Sequence, residues 1–218
     1  MVLHADASRH AATFLFALLA GSTAHAADGA FHLGVWAGVD VADGEPANDI
    51  PGFGLQLRYA LDDNWAVGAG IGRTEYDFET PASILGIAQD PSIEPVDTLA
   101  EATTFSAWAE RALAPGDGKY TWFVGAGVGA ASVDVPDAAG PRADGGQFDI
   151  HTEVSTEFIV TGFAGVRRTL GERWYAEFRV HANQHFADWQ MEDRVSGATG
   201  TIDDYLSFGG RLSVGIRW

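Results

Sequence analysis

Cysteine is absent from the 218 residues, which removes disulfides, thiolate metal sites and cysteine nucleophiles at a stroke. Basic residues are scarce, 13 against 30 acidic ones, giving a formal charge of -17, and all of them except Lys119 are arginine. Nothing in such a chain can neutralise a run of phosphates, so nucleic acid is excluded as a partner. Long apolar runs are also missing. The run from Ala11 to Gly21 is too short to cross a bilayer as a helix, and no later segment reaches about 18 apolar residues.

That short run instead has the shape of an export leader. Arg9 and the histidines around it precede it, and Ala24-His25-Ala26 follows it as a small-residue cleavage site. Residues 1-26 are therefore expected to be a secretory signal cut near Ala26, and residues 27-218 a single domain.

Glycine, by contrast, is plentiful at 27 residues, and it falls inside alternating segments rather than in linkers. Reading for period two between turn signals gives eight strands. The first, Ala30 to Val41, sets Leu33, Val35, Ala37 and Val39 against His32, Gly34, Trp36, Gly38 and Asp40. The second, Gly52 to Leu61, turns through Leu61-Asp62-Asp63-Asn64 into the third, Trp65 to Phe78. The fourth, Leu99 to Leu113, turns through Pro115-Gly116-Asp117-Gly118 into the fifth, Lys119 to Val133. The sixth, Val154 to Thr169, offers no clear facing. It leads through Leu170-Gly171-Glu172-Arg173 to the seventh, Trp174 to Phe186.

Connections alternate in length, with turns of about four residues on one side and loops of about ten to twenty on the other. The acidic residues collect in the long loops, among them Asp43, Asp90, Asp137, Asp144, Asp149, Glu153, Asp188, Glu192, Asp193, Asp203 and Asp204. Aromatics mark two levels in between. Tyr59, Trp65, Tyr120, Trp122, Trp174 and Trp218 sit near the short turns, and Tyr76, Phe78, Phe148, Phe186, Trp189 and Tyr205 near the long loops, as expected of rings at headgroup level.

The last strand, Tyr205 to Trp218, alternates most cleanly. Leu206, Phe208, Leu212, Val214, Ile216 and Trp218 share one face, while Ser207, Gly209, Arg211, Ser213, Gly215 and Arg217 share the other. A terminal alternating strand ending on an aromatic resembles the assembly signal of bacterial outer-membrane barrels, here Tyr205, Leu212, Val214, Ile216 and Trp218. Over the mature chain the pattern resembles the small outer-membrane barrel group of the OmpA transmembrane domain, OmpX and the opacity-type surface proteins. That resemblance implies an all-β, eight-stranded, antiparallel up-and-down transmembrane barrel in the outer membrane, with short periplasmic turns and long extracellular loops. It implies outer-membrane lipids, lipopolysaccharide and the barrel assembly machinery as partners, and a monomer is expected. No cofactor is implied.

Inside such a barrel, side chains on the polar faces meet across a narrow lumen. Arg58, Glu110, Glu177, Arg179, His181, Asn183, His185, Arg211 and Arg217 are the candidates, either as an ion-paired plug or as a gate that pH could move through the histidines. A continuous wet path past Gly68, Gly70, Gly125 and Gly127 would favour a pore. The group also contains lipid A deacylases, whose segment the strand-seven histidines resemble. However, Asn183 follows His181 by two residues and Ala187 follows His185, so the serine nucleophile is missing and no other serine stands at fitting offsets. Asp40, Asp43 and Glu45 lack the ladder of a calcium loop, and His32, His151 and the strand-seven pair form no zinc pattern. The expected role is therefore non-enzymatic, stabilising the membrane or meeting a surface ligand through acidic loops, with a narrow gated pore as the alternative.

Overall fold

The computed structural model describes residues 30-43, 50-78, 81-92, 98-114 and 119-218. The leader and its cleavage site, and the loop acids Glu45, Asp49, Glu79, Glu94 and Asp97, lie outside them, as do the side chains of Tyr76 and Phe78.

Eight long strands close into one antiparallel barrel: β1 (Phe31–Ala42), β2 (Ile50–Ala60), β3 (Trp65–Phe78), β4 (Thr98–Ala114), β5 (Tyr120–Asp134), β8 (Glu157–Leu170), β9 (Trp174–Phe186) and β12 (Tyr205–Arg217). Their order around the wall is β1-β12-β9-β8-β5-β4-β3-β2, so the chain runs up and down in sequence and closes by pairing its first strand with its last. At that seam the backbones of Phe31 and Trp218 exchange two hydrogen bonds of 3.0 Å, and their rings stack at 6.3 Å.

Alternation dictates the wall. Outward positions carry Leu33, Val35, Phe53, Leu55, Phe105, Val128, Phe178, Leu212 and Val214, all exposed, a continuous apolar surface that water would not tolerate and lipid would. Trp65, Tyr120, Trp122, Trp174 and Trp218 ring the short-turn end, also exposed. Among the described residues no helix is long and apolar enough to cross a membrane, so crossing falls to the strands. Two of the short turns are compact, while the predicted Pro115-Gly116-Asp117-Gly118 turn lies outside the described residues. Asp62 accepts the amides of Asn64 and Trp65 at 2.7 and 2.8 Å, and Gly171 takes a positive φ of 71° between β8 and β9.

The long connections hold a second structure that the sequence reading left as loops. β6 (Ala138–Pro141), β7 (Gln147–Val154), β10 (Trp189–Asp193) and β11 (Thr199–Ile202) form a four-stranded sheet in the order β11-β10-β7-β6, joined by a short helix α1 (Pro81–Ile84). Val154 therefore ends a cap strand, and the sixth barrel strand begins at Glu157. Phe148 and Trp189, folded inward by the cap sheet, and Tyr205, on the inward face of β12, are buried, not set at headgroup level as expected. They join Ile150, Met191, Ile202, Ala82 and Ile87 in one apolar core. That core also takes in Tyr205 from β12 and Ala100 and Ala102 from β4 on the opposite wall, all inward-facing, so it bridges the outer mouth of the barrel.

Candidate functional site

Large lumen side chains are seated on glycines of the neighbouring strands. Trp108 lies across from Gly68 and Phe163 across from Gly125, and a Cβ at either glycine would strike the ring. The wet path imagined past Gly68 and Gly125 is thus filled by aromatics. These glycines are the room the rings need.

Below this aromatic layer sits an ion cluster. Arg167, opposite Glu177 in the β8-β9 register, donates to its Oε2 through Nε at 2.9 Å and Nη2 at 2.5 Å, and to Glu110 Oε1 at 2.9 Å. Arg58 Nε donates to Glu110 Oε1 at 2.6 Å, and Arg179 Nη2 to Glu177 Oε1 at 3.0 Å. Glu110 and Glu177 are each 2% exposed, so their charges survive only through these partners. Arg167 also lies over the Phe123 ring at 4.8 Å, and Arg179 over Phe163 at 4.2 Å. Four strands are tied across the lumen. Arg167, the hub, escaped the sequence reading because β8 is apolar on both faces: Ile159 and Phe163 point in, Phe158 and Val160 point out.

Above the aromatic layer runs a polar chain. Asp40 receives His181 Nε2 at 2.6 Å and the Asn183 amide at 3.0 Å. Asn183 also donates to Ser207 Oγ at 3.1 Å, which meets His185 Nε2 at 3.1 Å. His185 Nδ1 reaches Glu157 Oε2 at 3.2 Å, and the Trp189 indole of the cap donates to Glu157 Oε1 at 2.7 Å. The His185 ring stacks on Tyr205 at 4.3 Å. Ser207, His185 and Glu157 follow the order of a serine-hydrolase relay, which offsets in the sequence did not reveal. Ser207, however, is wholly buried, and its oxygen already accepts the Asn183 amide. The chain is built as a latch between wall and cap, not as an accessible nucleophile.

Two expected lumen partners stand outside the ion cluster. Arg217 leaves the cluster for the short-turn rim, where its Nε donates to the Glu172 carbonyl at 2.9 Å, because its position is the last of β12. Arg211 does face the lumen, but among the described residues no carboxylate lies within 4 Å, and its guanidinium stacks on Trp36 at 4.2 Å. Asp40, on the polar face of β1 where alternation placed it, points into the lumen. Among the described residues no group of three or more histidine, aspartate or glutamate side chains is arranged to hold a metal ion.

On the cap, Asp193 is not the solvated loop charge expected. Burial alone would raise its pKa, but the amides of Asp149, Val195 and Ser196 and the Ser196 hydroxyl, at 2.5 to 3.3 Å, bring it down to about 2. It ties β7 to the β10-β11 turn.

No family model matches the sequence, and no curated protein matches it. Solved structures do. The outer membrane protein OprG of Pseudomonas aeruginosa is similar with a TM-score of 0.61 at 13% identity, over 87% of this chain and 96% of that one. The outer membrane protein AlkL, determined in lipid bilayers, is similar with a TM-score of 0.52 at 14% identity, over 90% of this chain and 92% of that one. At such identities the likeness concerns architecture. This chain has the fold of the small eight-stranded outer-membrane β-barrels.

Proposed function

We propose that this is a non-enzymatic outer-membrane barrel whose lumen is closed and whose working part is the ordered acidic cap, held at the cell surface to stabilise the membrane or meet a surface ligand. The observation that carries the reading is the double closure: the Arg58, Glu110, Arg167, Glu177 and Arg179 cluster fills the inner half, and the apolar cap core bridges the outer mouth. An ion cluster so buried supports a closed lumen. The outer face of the cap sheet alternates with its core and presents His151, Glu153, Gln190 and Glu192.

Arg111, Lys119, Arg168 and Arg173 are exposed at the short-turn end beside Asp62, Asp63 and Glu172 and are suited to phospholipid phosphates, whereas the cap presents mostly acids to lipopolysaccharide or a surface ligand. Biogenesis by the barrel assembly machinery, with Trp218 as the terminal aromatic, belongs to the same proposal.

The test is ion and small-solute flux through liposomes carrying the refolded protein, with the mobility difference between unheated and heated samples confirming the fold. A folded barrel without flux is the expected result. Flux that changes on substitution of Glu177 or Arg179 would favour the second reading, a narrow gated pore, for which the cavity between plug and cap is the supporting observation.

A further inference from the structure

Between the ion cluster and the cap, the outer half of the lumen encloses a cavity of about 70 Å³. One ordered water needs about 10-15 Å³ by this measure, so the space holds roughly five waters, or one small organic molecule in their place. Its wall is polar on one side and aromatic on the other.

The polar side includes N–H donors without a partner, beside the equally unpartnered hydroxyl of Thr74. The Arg211 guanidinium lines the cavity with no described carboxylate inside 4 Å, and its stem crosses Gly38, where a side chain would displace it. Arg179 and Trp108 border the same space, and Arg179 Nε and Trp108 Nε1 are buried without a hydrogen-bond partner. Buried N–H groups left unpaired cost stability, and several converging on one void mark the place of an acceptor. Asp40, whose oxygens accept His181 and Asn183, makes no ion pair with Arg211 inside 4 Å.

We infer that this cavity is a binding site for a small organic monocarboxylate, its carboxylate held by Arg211 and the free N–H groups of Arg179 and Trp108, its apolar body against Trp36 and Phe163. A guanidinium fits a carboxylate bidentately, and the rings flanking the cavity suit a flat apolar body. The acidic exterior selects against polyanions, which would be repelled more strongly on approach than a monoanion.

The probe is benzoate, titrated by calorimetry and by tryptophan fluorescence into the full-length folded protein, with benzamide as the neutral isostere. Saturable benzoate binding is expected, at least tenfold tighter than benzamide, weakened at least tenfold by Arg211→Gln and largely kept by Arg211→Lys. Absence of saturable binding, equal affinity for benzamide, or unchanged affinity in a folded Arg211→Gln barrel would each overturn the assignment. Should Arg211→Gln fail the gel-mobility check for folding, Trp108→Phe removes one donor while keeping a ring, and unchanged benzoate affinity in it overturns the proposal equally.

Discussion

Replacing Glu177 with alanine tests the ion cluster at an acceptor that two arginines share. Glu177 accepts Arg167 twice and Arg179 once, at 2.5 to 3.0 Å. Without it, Arg167 keeps only Glu110 at 2.9 Å, and Arg179 has only Glu110 Oε2 at 3.8 Å. At an effective dielectric of about 20, each lost contact near 3 Å removes roughly 5 kcal/mol of gross attraction. The cationic partners remain where they are, and a broken buried pair of this kind costs about 3-5 kcal/mol net. With a urea dependence of about 1-3 kcal/mol per molar, the unfolding midpoint should fall by roughly 1-5 M. Tryptophan fluorescence during urea unfolding in phosphatidylcholine vesicles reads that midpoint directly. Joint replacement of Arg167 and Glu177 by methionine should recover most of the loss, because apolar substitution of a whole pair is often neutral. An unshifted midpoint in Glu177→Ala would mean that water reaches the arginines, and the closed plug would have to be abandoned.

Other consequences concern the cap and the seam. Trp189→Ala deletes a side chain with 0% exposure from the cap core and should cost the cap about 3-5 kcal/mol, seen as faster hydrogen exchange over residues 138-154 and 189-202 while the barrel's gel mobility stays unchanged. Asp193 has a folded pKa near 2, below its unfolded value of about 4, so its contribution is present above pH ~4 and drains away as pH falls towards 2. Protease resistance of the cap should fall across that window in the wild type and lose this dependence in Asp193→Asn. Deleting Trp218 removes the paired backbone hydrogen bonds and the ring stack that close β1 on β12, so folded yield in the outer membrane should drop; an unaltered yield would show that the seam closes without it.

What was legible in the sequence was whatever alternation could carry. The seventh strand runs Trp174 to Phe186 in both readings, with Tyr175, Glu177, Arg179, His181, Asn183 and His185 inward, because its polar and apolar residues separate cleanly. β8 defeated the same logic. An eight-stranded lumen packs rings as readily as charges, so Ile159 and Phe163 on the inner face erased the contrast that would have exposed Arg167 and Glu157. The cap sheet was hidden for another reason: β6 and β11 have 4 residues each and β10 has 5, too short for a period-two signal to stand above loop composition. The latch needed strands β8, β9 and β12 to be in register before Ser207, His185 and Glu157 could meet.

The two closures differ in chemistry, and that decides which of them the surroundings can reach. Plug charges lie inside a wall coated by lipid, where salt screens weakly and the partners are fixed by register. The cap stands in water, and two of its anchors, Asp193 with Ser196 and the His151–Asp137–Arg194 group, are polar links open to pH and ionic strength. Arg194 and His151 are both exposed, so screening by salt weakens their hold on Asp137. Acid or high salt therefore loosens the surface first and leaves the barrel shut beneath it. On the closed-lumen reading proposed above, such a protein alters what it presents to the outside while its plug stays in place, and flux through liposomes across the same pH and salt range tests that.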